Sequence, residues 1–437
     1  MTGSPNELMQ ERDSARQPAG LSGWSRVQDP VPWVAGLFLA TVLLQRIAVP
    51  GLPISVTVPL AVAWIVIVCA LGVGEFNRTR MLVWLFAAGI SGLLMAGQVL
   101  LVAQPYISFS SWGLWVVTWL PVVVQLRDRD RQTYLRCVRA IAGIGVGLAA
   151  LSLSFIGLQL VGVRHHDWLA SVLPPNLLVD GFNTSYPVAY GSAIYKSNGW
   201  ISLEPSFMSF FLGVAFACAL LGRVGLPSVL LVLAGLLSTM AGSGLAVVAV
   251  FLAVLLVQGQ AYTVRRYVLP VTVAVAIFAT TAFGQALFSR VTEFSSGNSS
   301  TALRVIRPYP ELWPYWIADP AGIFFGHGAG ASADIVESLG VDGLLVPNIA
   351  KVLFDYGMIG GVSLLALMVV TFLRSPSLAL AIALAASMFL LQGAAQPLAI
   401  CCIMLTAFWS PAQAVITHRP QLGTLPRDQQ RIRTFAR

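Results

Sequence analysis

The feature that most limits what this chain can fold into is a succession of apolar runs. They fall at about 31–49, 54–73, 81–103, 109–126, 137–162, 203–222, 226–241, 243–258, 268–287, 350–372, 378–394 and 396–411. A helix of about 20 mostly apolar residues crosses the hydrocarbon core of a bilayer. The expectation is an all-α polytopic membrane protein with about twelve transmembrane helices. Composition agrees, because only 10% of the 437 residues are charged, against about 25% in soluble domains.

The net charge of +8 is carried by 24 Arg and two Lys that sit in short segments between apolar runs. That pattern reads as membrane topology and excludes nucleic acid as a partner. With the N-terminus in the cytoplasm and sides alternating, 19 of the 26 basic residues fall inside. Arg46, Arg164, Lys196, Arg290, Arg304, Arg307 and Lys351 fall outside. Polar cytoplasmic tails then occupy 1–30 and 412–437, and helices fill 31–162, 203–287 and 350–411. Two large loops remain on the outside, at 163–202 and 288–349. Both are rich in Trp, Tyr, Pro and Gly, which predicts folded caps. The first thirty residues lack a signal-peptide pattern, so the first apolar run is expected to insert and stay. The five cysteines lie in or beside apolar runs and suggest neither a disulfide framework nor a redox or metal motif.

Candidate chemistry concentrates in the loops. Arg304 and Arg307 are three apart and would share a helix face. Guanidinium groups bind phosphate bidentately and keep their charge, which suits an anionic lipid pyrophosphate. Pairing with Glu293 or Glu311 is the alternative. Gly326-His327-Gly328-Ala329-Gly330 precedes a helical stretch at 332–338. Such a turn can offer backbone N–H groups to an anion, or can simply be a tight turn. His327 is a candidate general base.

The first loop ends Lys196-Ser197-Asn198-Gly199-Trp200-Ile201-Ser202-Leu203-Glu204-Pro205-Ser206. Pro205 and Ser206 suit the first turn of a membrane helix, which puts Glu204 at the outer boundary. Glu204 is either a carboxylate favoured by the helix dipole or a base and sugar ligand at the membrane surface. Arg46, near the outer end of the first helix, either snorkels to the interface or holds a phosphate. Lys196, Asn198, Ser206, Gly328 and Asn348 complete the candidate substrate contacts. Arg164-His165-His166-Asp167 is not read as a metal site, and no cofactor or metal is expected. Lys351 and Asp355, four apart, are expected to form a helix ion pair. Asn183 and Asn298 open glycosylation-like triplets that carry no weight in a chain that looks bacterial.

The order of these pieces resembles the O-antigen polymerase/O-antigen ligase superfamily, closest to Wzy-type exopolysaccharide polymerases. The resemblance rests on Ser202 to Ser206, Ser238-Thr239-Met240-Ala241-Gly242-Ser243-Gly244, Arg304 leading to Trp313, Phe325 to Gly330, and Pro347-Asn348 leading to Asp355-Tyr356-Gly357. It is strongest over 200–365. It implies a GT-C-like, metal-independent glycosyltransferase of the bacterial inner membrane, working at the periplasmic face. The implied donor is an undecaprenyl-pyrophosphate-linked oligosaccharide and the product a growing polysaccharide. Membrane lipids, a flippase and chain-length or export proteins are the implied partners. Arg304, with Arg307, would stabilise the departing pyrophosphate. The chain departs from the family at Pro347, where ligases often carry a His, and at Ala241 to Gly244, which lacks the Arg many members have. Both departures favour a polymerase over an O-antigen ligase. Glu204 is the first candidate base and His327 the second. A flippase for the lipid-linked unit is the reading from another class, but it would place charge near the bilayer midplane.

Overall fold

The computed structural model describes residues 29–52, 54–102, 106–188, 191–292, 302–341, 344–391 and 395–411. The expected tails lie outside the described residues, apart from Asp29 and Pro30, as do Glu293 and Asn298. The chain is mostly helical. Helices α1 (Val31–Leu44), α2 (Thr57–Ala70), α3 (Arg78–Leu101), α4 (Phe109–Trp119) and α5 (Arg131–Leu160) form the first half. A short α6 (Trp168–Val172) lies in the first large loop. Then come α7 (Pro205–Leu221), α8 (Leu226–Ser238), α9 (Gly242–Val257), α10 (Arg265–Thr280) and α11 (Ala282–Thr292). Helices α12 (Pro308–Ala318), α13 (Pro320–Phe325) and α14 (Ala331–Ser338) fold the second loop. The last group is α15 (Asn348–Phe372), α16 (Leu378–Ala386) and α17 (Gln396–Leu405).

Many helix starts follow from local chemistry. Asn77, Ser108, Asp130 and Ser377 each accept a hydrogen bond from the backbone N–H three residues on, satisfying a donor that the helix leaves open. Helices α3, α5 and α15 are long and apolar enough to cross a membrane, and other apolar helices have 10–17 residues. The chain is thus a helical, membrane-embedded protein. A 14-residue helix such as α1 spans only about 21 Å at ~1.5 Å per residue.

Four apolar runs differ from the expected single helices, and in one of them, 350–372, α15 is kinked at Gly357, whose backbone is non-helical (φ 64°, ψ −172°). The run at 109–126 ends its helix at Trp119, passes through a 3-10 turn containing Pro121, and finishes as strand β2 (Val124–Leu126). That strand pairs antiparallel with β1 (Gly74–Phe76), Glu75 facing Gln125. The run at 268–287 is broken at Thr281, which is extended (ψ 157°). The Thr281 hydroxyl accepts from Gly284 N and restarts the helix as α11. The run at 378–394 leaves α-helical geometry after Ala386 for a π-helical turn over 387–391.

The core is built by α5, α7, α8 and α9. Lipid tails are as apolar as leucine, so helices in a membrane associate through close packing of small residues and a few hydrogen bonds. That is the pattern here. At the α7–α9 crossing, a Cβ on Gly244 would lie 1.9 Å from the Ser209 carbonyl oxygen, and Gly244 N donates to Ser209 Oγ. On α5, Ser152 Oγ is within 2.9 Å of Ser197 Oγ and 2.8 Å of Ser238 Oγ. The second loop has a separate small core of Leu312, Ala331, Val336, Leu344, Val346 and Phe354.

Replacing Gly244 by Leu is expected to lower stability by about 1–3 kcal/mol, because two backbones must separate. Gly143→Ala in α5, where an added Cβ meets nothing within 4 Å, is expected to be neutral or stabilising. Thermal unfolding of both variants in detergent checks this, and equal losses would count against the close crossing.

Candidate functional site

Glu204 immediately precedes α7 in extended conformation, φ −146° and ψ 164°. Pro205, first in the helix, has no N–H to cap, and the Glu204 side chain makes no capping bond. Its carboxylate turns instead to other partners. Glu204 Oε2 accepts from Ser206 Oγ at 2.9 Å and from Arg304 Nη2 at 3.0 Å. Arg304 Nη1 is 3.5 Å from Ser206 Oγ. The Glu204 side chain is 7% exposed and that of Arg304 19%. An almost buried carboxylate of this kind persists only with its cation, because removing one partner leaves an uncompensated charge.

Arg304 arrives from a π-helical turn, Ala302–Ile306, in the second loop. The ion pair therefore clamps that loop to the first turn of α7. Tyr186 completes the surroundings. Burial pushes its phenol up, the Glu204 charge adds to that, and Arg304 offsets part of it. Lys196 donates its backbone N–H to the Tyr186 carbonyl and holds its ammonium 5.8 Å from the centre of the Tyr186 ring. Asn198 is buried and braces the same loop. Its Oδ1 accepts from Trp200 N at 2.9 Å, and its Nδ2 reaches the Thr184 and Ser202 carbonyls.

The other sequence candidates lie elsewhere or are engaged. Arg307 pairs with Glu311 at 3.2 Å, one turn along its own helix. Arg46 is 4% exposed. Its two Nη groups grip the Asp167 carboxylate at 2.9 and 2.6 Å, and Nη1 also donates to the Trp200 carbonyl. The residue expected to snorkel or hold a phosphate instead ties the end of α1 to the first loop. Burial alone would raise the Asp167 carboxyl, but hydrogen bonds from Arg46, Thr184 and Ala170 hold it below its ordinary value. Asn348, first in α15, donates to the Met388 carbonyl at 2.7 Å.

The Gly326–Gly330 turn and Asp355 form a second cluster. Gly328 (φ 112°) could carry no side chain, since a Cβ would lie 1.7 Å from the Tyr106 carbonyl oxygen. Its N–H donates to the Asp355 carbonyl. Gly330 N and Ser332 N donate to Asp355 Oδ2 and Oδ1 at 3.0 and 2.9 Å. The anion that this nest holds is therefore the chain's own buried carboxylate, which also pairs with Lys351 at 3.2 Å. His327 stacks on Phe354, with ring centroids 4.6 Å apart. Burial holds its imidazole below the usual value despite Asp319 and Asp355. Its Nε2 is buried without a hydrogen-bond partner among the described residues.

No trio of His, Cys, Asp and Glu among the described residues could hold a metal ion. Sequence reasoning missed Tyr186, Gln45 and Ser243. Gln45 is fully buried and reaches Ser202 Oγ and Leu203 N just before Glu204. Ser243 Oγ donates to the Ser206 carbonyl. Tyr186 and Gln45 do not stand out in sequence, and Ser243 does so only as part of the stretch from Ser238 to Gly244, because each acts through a partner elsewhere in the chain. No protein-family model matches the chain, and no curated protein matches it either.

Arg46→Ala is expected to lower stability at neutral pH towards the low end of the ~3–5 kcal/mol seen for broken buried pairs, since Asp167 is 20% exposed. A depressed folded-state value makes the pair's contribution fully present above about pH 4 and lost as pH falls through that value. Unfolding midpoints taken from neutral to acid pH should therefore converge for wild type and variant. A constant gap would contradict this account of Asp167.

Proposed function

We propose that the protein is a bacterial polysaccharide polymerase, the activity implied by its resemblance to Wzy-type exopolysaccharide polymerases. It joins oligosaccharide repeats carried on undecaprenyl pyrophosphate, at the periplasmic face of the inner membrane. The same reading takes the twelve apolar runs as spans of a GT-C-like fold, with 163–202 and 288–349 on the periplasmic side. The observation that carries it is the meeting of Glu204, Ser206 and Arg304 at the start of α7. A carboxylate and a guanidinium are held within one hydrogen-bonded unit at the start of α7, the pairing of groups that a sugar hydroxyl and a lipid-anchored diphosphate would call on.

In the proposed reaction a hydroxyl of the acceptor sugar attacks the anomeric carbon of the donor. The bond from that carbon to the pyrophosphate oxygen breaks, and the lipid pyrophosphate leaves with the electron pair. Arg304 stabilises the charge that develops on the leaving oxygens. Drawing Arg304 onto the diphosphate frees Glu204 Oε2 to take the proton of the attacking hydroxyl. Ser206, bonded to both, keeps the carboxylate aimed while the pair separates. Lys196 adds a second cation over the Tyr186 ring.

The test uses a deletion strain complemented with wild type, Glu204→Gln or Arg304→Lys, each checked for membrane insertion and level. Glu204→Gln keeps the shape and is expected to slow polymerisation by about 10²–10⁴-fold, the range for a lost general base. Arg304→Lys keeps the charge but loses the planar fork, and is expected to leave short products. Size exclusion of polysaccharide and mass spectrometry of lipid-linked glycans provide the readout. Loss of polymer with single lipid-linked repeats accumulating supports the proposal. Normal polymer with unattached O-antigen would replace it with a ligase, and substrate trapped on the cytoplasmic side with a flippase.

A further inference from the structure

The end of the bundle opposite Glu204 carries a cavity of about 750 Å³. It lies where α5 begins, α7 and α9 end, and α16 begins. Glu204 precedes the other end of α7. We propose that this cavity binds a phosphate group, with the head group of an anionic lipid as the source its walls favour.

Four guanidinium residues line it, Arg129, Arg131, Arg139 and Arg223, and among the described residues no carboxylate does. Basic residues at one membrane face are ordinary, so what matters is what these four do. The described acids nearby are all engaged, and one of them, Glu75, takes up the lining residue Arg129. Glu75 pairs with Arg127 and Arg129, Asp29 pairs with Arg136, and Asp128 and Asp130 accept from Thr133. Arg139 gives its Nε to the Gly222 carbonyl, which leaves its Nη donors. Among the described residues the side chains of Arg131 and Arg223 have no hydrogen bond or ion pair. Arg223 holds a left-handed conformation, φ 54°, just past the end of α7, where glycine is the cheaper residue.

Two further groups of donors face the same space. Leu378 and Ala379, the first residues of the nine-residue α16, line the cavity. Ser377 Oγ takes the N–H of Leu380, so the preceding backbone donors have no such cap and the helix dipole favours an anion. Ser375, also in the lining, has a buried hydroxyl without a partner among the described residues. The inner wall is apolar, with Tyr134, Leu220, Phe251 and Leu255. A basic rim over an apolar wall matches a phosphodiester with a glycerol and the first carbons of its chains. The volume lies within the ~300–1,000 Å³ of small-molecule sites.

The test uses the full chain purified in a neutral detergent, titrated with dioctanoyl phosphatidylglycerol, dioctanoyl phosphatidylcholine or inorganic phosphate. The rise in unfolding midpoint with ligand gives the affinity. Phosphatidylglycerol is expected to bind at least about tenfold more tightly than the zwitterionic lipid. The double variant Arg131→Gln with Arg223→Asn is expected to lose about tenfold or more, the scale of one charge-assisted hydrogen bond; Asn tolerates the left-handed position. Inorganic phosphate that displaces the lipid at similar concentration would keep the phosphate site and make a free phosphate its source. Equal affinity for the two lipids in wild type would overturn the proposal, a comparison that stands even if the variant fails to fold. An unweakened, folded variant would overturn it too. Binding is read without any polymer assay, so its failure and that of the polymerase reading are separate.

Discussion

Glu204 is a carboxylate with little access to water at the start of α7, and Arg304 comes to meet it there. Much of the local structure follows from that pairing. Arg304 must be delivered by the second loop, so 302–338 folds as helices over a core of its own. Ser206 must face the pair, and Pro205 starts α7 at the residue that allows this. The backbone of Ser206 is in turn held by Ser243 on α9, which is near enough only because Gly244 lets α9 lie against α7. The geometry of a charged pair thus rests on a glycine whose own role is packing.

The same dependence appears in the way the two loops attach to the bundle. Arg46 and Asp167 pin the first loop to the end of α1, while Asp355 in α15 gathers the backbone N–H groups of the second. Gln98 on α3 donates to the carbonyls of Phe325 and Asp355, joining α3 to that cluster. Buried polar groups in this chain mostly fasten segments together, as expected where apolar burial alone cannot choose one packing over another. The charges left over separate towards the two ends of the helices, a paired acid and base at one and unpaired guanidinium groups at the other.

Local chemistry was legible from the residues themselves. Hydropathy is a property of short windows, so the apolar runs and most helix starts could be read directly. Arg307–Glu311 and Lys351–Asp355, each one helical turn apart, follow from spacing alone. Breaks caused by one residue were harder, because the Thr281 hydroxyl restarts a helix inside an otherwise continuous apolar run. Glu204, Ser206 and Arg304 were each recognisable as candidates, but not as partners of one another. Arg304 had nearer acids in sequence, and the Gly326–Gly330 turn read equally well as a cradle for an external anion.

What the sequence determined by itself is the solvent this chain lives in, since its residues are too apolar and too rarely charged for water. It also determined where chemistry could lie, because charged and hydrogen-bonding residues beside a membrane helix are few enough to name. Which of them meet was decided only by the tertiary structure. Glu204 and Arg304 are a hundred residues apart, and Arg46 and Asp167 more than that. Side chains so distant pair according to how helices cross, and those crossings depend on small residues such as Gly244 whose effect no window of sequence contains.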